Sequence, residues 1–245
     1  EGTGTTLSLS SLDGMVNPGS SLTSNVIISS ASASDYIPLS MNKGALILDR
    51  NVNLDSSSEL YKRSEFSSVK VDLTSGNSIT GSQSGQTGIA QRNYENSSGK
   101  DAVKITNDGS IALTGNNAVG IASDYGHVVN NSIVKTTGEK SVAIYSANGT
   151  ITENNGEIII GGNNSAGIYG ANYLDGINSS AVLKYGDDKI DISNNGRIIS
   201  EGNGKVYGIY ADNKYLSRND SAVRLGSGSN IDLSSSNGGV GIYAN

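Results

Sequence analysis

Residues 154–170 read NNGEIIIGGNNSAGIYG, and residues 194–210 read NNGRIISEGNGKVYGIY. Glycine and asparagine are threaded among isoleucines in both, and the same types return in the same order. Four-residue β-branched runs bounded by Gly and Asn are strand signals and are too short for helices. The first stretch, with the residues just before it, supplies three such runs: Gly149-Thr150-Ile151-Thr152, Glu157-Ile158-Ile159-Ile160 and Ala166-Gly167-Ile168-Tyr169.

The repetition extends along the chain. The triplets Gly88-Ile89-Ala90, Gly120-Ile121-Ala122, Ala143-Ile144-Tyr145, Gly167-Ile168-Tyr169, Gly208-Ile209-Tyr210 and Gly241-Ile242-Tyr243 are spaced 32, 23, 24, 41 and 33 residues apart. A second marker, Asn107-Asp108-Gly109, Asn130-Asn131-Ser132, Asn154-Asn155-Gly156 and Asn194-Asn195-Gly196, is spaced 23, 24 and 40 apart. Two independent markers sharing one period define a solenoid, and the longer spacings are that unit plus insertions. Asn-Gly between strands also suits a two-residue hairpin, so an antiparallel meander is the competing arrangement. A meander gives no reason for side-chain types to recur every 24 residues. A coil does, because each residue stacks on its counterpart about 4.8 Å away.

The expected fold is therefore all-β, a parallel β-helix with about 24 residues per rung. Asn and Gly are expected at corners with left-handed backbone, with stacked Asn side chains bonding along the axis. Ile168 and the residue two before it (Ala166, and elsewhere Val119, Val142 and Val240) are expected to face a thin core. About ten turns of about 4.8 Å predict a length of roughly 50 Å. Residues 1–65 read as degenerate or end-region rungs, although Gly44-Ala45-Leu46-Ile47-Leu48 and Asn51-Val52-Asn53-Leu54 resemble strands. Residues 66–245 read as the regular coil, with insertions near 91–100, 170–187 and 211–228.

Composition agrees with an ordered but elongated chain. Of 245 residues 32 are Gly and only two are Pro, while aromatics comprise 12 Tyr, one Phe and no Trp. That is too few large apolar side chains for one spherical core, yet Ile and Val are too frequent for disorder. The charge of −6 carries no basic stripe, which argues against nucleic acid as a partner. With no cysteine there is neither a disulfide framework nor a thiolate metal site. No apolar run approaches membrane-spanning length, and no leader is evident at Glu1. The sequence stops at Tyr243-Ala244-Asn245 part-way through a unit, as expected of a fragment of a longer polypeptide.

Little points to catalysis. His127 is the sole histidine and reads as a solvated turn residue between rungs. Asp187-Asp188 lacks the Gly-His-Gly and Arg-x-Lys that would follow such a pair in polysaccharide-hydrolysing β-helices. Adjacent strand residues also point to opposite faces. Asp191 through Gly196 mimics the start of a calcium loop, but its twelfth position is Gly202 rather than Glu. Gly138-Glu139-Lys140-Ser141 lacks the spacing of a phosphate loop. No catalytic residue, metal site or cofactor is assigned.

Two features suit binding. Tyr145, Tyr169, Tyr210 and Tyr243 occupy equivalent positions and should form a column on one outer face. Tyrosine offers apolar area with a polar tip, useful for sugars or proteins, although rung-to-rung stacking alone also accounts for such a column. The insertions carry Tyr173, Asp175, Tyr185, Lys214, Tyr215 and Arg218, a mixture typical of contact surfaces.

At ITENNGEIIIGGNNSAGIYGAN (151–172) and IDISNNGRIISEGNGKVYGIYADN (190–213), the chain resembles the passenger repeats of type V autotransporter adhesins of anaerobic Gram-negative bacteria. The NNG…I.I…GIYA.N cadence covers about residues 66–245. The resemblance implies a right-handed parallel β-helix displayed extracellularly at the bacterial surface. It implies anchoring by a C-terminal outer-membrane barrel not contained in this sequence. It implies adhesion to host cells or other bacteria through surface glycans or proteins. It carries over no catalytic residues.

Overall fold

The computed structural model describes residues 7–8, 21–22, 26–28, 40–41, 44–48, 51–55, 64–65, 69–92, 104–124, 126–172, 189–213 and 221–245. Every strand pairing among them is parallel, and the strands sort into sheets of nine, seven, seven and two. The three large sheets are the walls of a parallel β-helix, and each turn contributes one strand to each wall. The turn at the centre runs Ile151–Asn154 in the first sheet, Glu157–Ile160 in the second and Ser165–Ala171 in the third. Its neighbours are His127–Asn130, Ile133–Thr136 and Val142–Ala147 on one side. On the other side they are Asp191–Asn194, Arg197–Ser200 and Val206–Asp212.

Seven turns with all three strands are present among the described residues, from Gly44–Leu48 to Val240–Ala244. Val26–Ile28 and Leu7–Ser8 extend the first sheet to nine strands. Among the described residues, eight spacings of about 4.8 Å give roughly 38 Å along the first sheet. Residues 44–65 already supply a full turn through Gly44–Leu48, Val52–Asn53 and Ser64–Glu65.

The core is a set of one-residue-wide columns. In the second sheet Ile79, Ile111, Val134, Ile158 and Ile198 are in register, and all five are fully buried. In the third, Ile89, Ile121, Ile144, Ile168 and Ile209 form a matching column, also fully buried. Burying each contributes about 1.5–3 kcal/mol, so the thin interior is held by repetition rather than by large residues.

One expectation about that interior is corrected. Val119, Val142 and Val240, two before the inward isoleucine, are half-buried on the outer face. The third strand bends so that the Gly or Ala immediately before the Ile also points inward. A Cβ on Gly167 would stand 2.9 Å from Ile198 Cγ2 and 2.6 Å from the Gly208 carbonyl oxygen. Two consecutive inward residues break the period of two, and the crowding there permits nothing much larger than Ala143, which is itself fully buried.

The corners follow the expectation at several positions, with left-handed Gly76, Gly85, Gly149, Gly202 and Gly238, but not at all of them. Among the described residues, left-handed backbone at non-glycine residues occurs at Asn117, Lys140, Asn148 and Asn164, with φ from 48° to 57°. Three of these, Asn117, Lys140 and Asn164, lie between the second and third sheets. The Asn-Asn-Gly corner between the first and second sheets does not use it. Glycine is required there for approach instead: a Cβ on Gly156 would fall 2.0 Å from the Ser132 carbonyl oxygen.

The insertions are narrower than expected. Gly170 and Ala171 remain in the third sheet, as do Ala211 and Asp212. Ala222–Leu225, inside the stretch expected to be looped out, is a first-sheet strand paired with Asp191–Asn194. In sequence, the stretches 93–103, 172–190 and 213–221 each connect a third-sheet strand to the next first-sheet strand.

Candidate functional site

The four tyrosines singled out by the repeat do stack. Strand register places Tyr145 on Tyr169, Tyr169 on Tyr210 and Tyr210 on Tyr243. Each follows the inward isoleucine of the third strand, so alternation sends its ring outward. Centroid distances along the column are 5.6, 5.1 and 4.8 Å. The first two contacts are edge-to-face, at 76° and 88°, and the last is stacked at 20°. Edge-to-face pairs bring the positive rim of one ring to the negative face of the next, worth about 0.5–1.5 kcal/mol beyond area burial. Tyr145, Tyr169 and Tyr210 are half-buried and Tyr243 is 40% exposed. The column ends downward on Ala122, the register partner of Tyr145.

A fifth ring belongs to this face. Tyr207 is in register with Ala166 and Val240, one column over. It meets Tyr210 edge-on at 5.2 Å and Tyr243 at 6.4 Å. Lys205 Nζ stands 5.6 Å from its ring centroid, within cation–π range. Sequence reasoning missed Tyr207 because it assigned the position two before the isoleucine to the core. The signal was available in Tyr207-Gly208-Ile209-Tyr210, since a tyrosine beside an inward glycine cannot also face a one-residue-wide core.

Tyr173, Asp175, Tyr185, Lys214, Tyr215 and Arg218 lie outside the described residues. Their anchor points are described: Ala171 pairs in register with Asp212, and Asn172 Nδ2 donates to Asn213 Oδ1 at 2.8 Å. Those anchors end the strands that carry Tyr169 and Tyr210.

His127 is not a turn residue. It opens the strand His127–Asn130 in register with Lys104 and Ile151. Its side chain is 13% exposed, with Nε2 3.2 Å from Glu153 Oε1 on the next rung. Elsewhere on the outer walls the charged groups pair across rungs: Lys135 with Glu201 at 2.6 Å, Arg197 with Glu157 at 2.8 Å, and Arg224 with Asp191. Lys135 lies one rung below Ile159 and its partner follows the strand one rung above, so this pair bridges Ile159, only 8% exposed although it faces outward. Among the described residues no three His, Asp or Glu side chains gather as metal ligands would.

Among the described residues Asp55 is the one acid with a large shift. Its carboxylate accepts from the Ser82 amide and hydroxyl at 2.8 and 2.7 Å and from Gln86 Nε2 at 2.9 Å. These bonds favour the charged form and hold its pKa down at about 2. The arrangement latches one turn onto the next. In comparison with known proteins, the chain matches no family model, no curated protein and no solved structure.

Proposed function

We propose that this chain is an extracellular segment of a bacterial surface adhesin of the autotransporter type, attaching to host cells or other bacteria through their surface glycans or proteins. The observation that carries the reading is the tyrosine column from Tyr145 to Tyr243, widened by Tyr207 and Lys205, on one wall of a rigid coil. Rings fixed on strands present apolar area with little entropy left to lose on binding, and their hydroxyls supply orientation. The strands that carry Tyr169 and Tyr210 end at Ala171 and Asp212, immediately before the insertions in sequence.

A stalk reading has its own support, because edge-to-face contacts also tie successive turns together without any ligand. Binding of the folded chain to a glycan array and to host cells separates the two readings. It is run beside a Tyr210→Ser/Tyr243→Ser variant and a variant with 173–188 and 214–220 shortened. Loss in the tyrosine variant assigns recognition to the column, and loss only in the shortened variant assigns it to the insertions. A folded chain that binds nothing favours the stalk.

A further inference from the structure

Asn-Gly is the dipeptide at which asparagine most readily loses its amide, because no Cβ shields the following nitrogen. The chain contains five: Asn148-Gly149, Asn155-Gly156, Asn195-Gly196, Asn203-Gly204 and Asn237-Gly238. The fold divides them into two classes.

Three are clamped. Asn148 Nδ2 donates to Asp124 Oδ1 at 2.7 Å. Asn155 Nδ2 donates to Asn131 Oδ1 at 3.0 Å, and Asn195 Nδ2 to Asn155 Oδ1 at 2.9 Å. Two of the nitrogens that would have to attack are also engaged, Gly156 N donating to the Asn130 carbonyl at 3.0 Å and Gly196 N to the Asn154 carbonyl at 2.9 Å. Reaction there requires the corner to open first.

The other two are held by neither bond. Asn203 and Asn237 are exposed, and no hydrogen bond among the described residues engages either side chain or the following glycine nitrogen. Gly204 is nevertheless boxed in, because a Cβ there would fall 2.6 Å from Asn163 N. Gly238 is open: its nearest neighbour would be Lys205 Cγ at 3.9 Å, and its φ is +96°.

We propose that Asn237-Gly238 is a self-modification site. The Gly238 nitrogen attacks Asn237 Cγ, a C–N bond forms, and the Cγ–Nδ2 bond breaks. Nδ2 leaves as ammonia, taking up the proton lost from the attacking nitrogen. Water then opens the cyclic imide at either carbonyl, giving aspartate or its isomer with the chain running through the side-chain carbon. The net change is one amide hydrolysed, with no redox partner. The modification adds one negative charge at the corner where Gly238 neighbours the Lys205 side chain, a Cβ on Gly238 standing 3.9 Å from Lys205 Cγ.

The test incubates the full chain, folded and in denaturant, at mildly alkaline pH. Peptide mapping by mass spectrometry and enzymatic isoaspartate methylation follow each site. The folded chain is expected to convert Asn237 first and Asn203 next, with Asn148, Asn155 and Asn195 slower by more than about tenfold, the ratio set by a local opening free energy of about 1.4 kcal/mol. In denaturant the five rates should converge. Asn237→Gln, whose side chain is one methylene too long for the five-membered ring, should abolish the fast phase and leave Asn203 unchanged. Equal rates in the folded chain, or Asn155 or Asn195 reacting ahead of Asn237, would overturn the proposal.

Discussion

Two columns run along this coil with the same period, and they are built from opposite materials. At the corner between the first and second sheets, Asn107, Asn130, Asn154 and Asn194 are all fully buried. Each donates its side-chain amide to the carbonyl of the next, at 2.7, 2.7 and 2.6 Å, and Asn194 ends the series on Ser229 Oγ. On the third sheet, Tyr145 to Tyr243 meet by ring contacts and stay partly in solvent. Recurrence alone therefore does not mean core or surface. A buried amide ladder persists because any member without its neighbours would leave a polar group unsatisfied in the interior, at about 1–3 kcal/mol. A surface aromatic column carries no such penalty, and each ring is replaceable at modest cost.

The contrast can be broken from the ladder side first. Asn154→Asp removes the donor to Asn194 and buries a charge with no counter-ion, and should lower unfolding stability by about 4 kcal/mol in denaturant titration. An unchanged midpoint would mean that the ladder contributes no specificity. Next, Gly156→Ala drives a methyl into the Ser132 carbonyl and should cost about 2 kcal/mol by the same measurement, without altering the side-chain types of either column. Tyr169→Ala removes two ring contacts and should cost about 1 kcal/mol beyond the apolar area lost. A loss equal to that of Asn154→Asp would erase the distinction between the two columns.

The smallest effect is confined to acid and sharpens the comparison between neutral and charged latches. The Asp55 pKa is lowered from 3.8 to about 2 on folding, so its contribution is present above 3.8 and is lost as pH falls through about 2. Stability should therefore decline over that window, and Asp55→Asn should flatten this part of the profile. The asparagine ladder carries no charge and should be indifferent to the same titration.

The sequence carried the solenoid legibly because its markers are its register. Asn107, Asn130, Asn154 and Asn194 recur at intervals of 23, 24 and 40, and these are the residues that touch. The tyrosine column was legible for the same reason. Less legible was anything that depends on backbone curvature. Val119, Val142 and Val240 were sent inward by strict alternation, whereas the bend at Gly120, Ala143 and Gly167 turns two successive residues in. His127 was read as a turn because Asp124-Tyr125-Gly126 precedes it, and its pairing with Lys104 and Ile151 is fixed only by neighbouring rungs. Ala222–Leu225 carries no repeat marker, and only its place above Asp191–Asn194 identifies it as a strand.

The three corners of the coil have unequal freedom of length. Only Asn155 and Gly156 separate Asn154 from Glu157, and only Asn195 and Gly196 separate Asn194 from Arg197. Between Ala147 and Ile151 the third-to-first corner is nearly as short, at three residues, yet Ala171 and Asp191 are joined across the same corner by a far longer stretch. The next strand enters its sheet in step in either case: Asn194 meets Asn154 as Asn154 meets Asn130. A gene encoding such a coil can gain or lose codons at that corner without a compensating change elsewhere. Diversification there proceeds independently of folding, turn by turn.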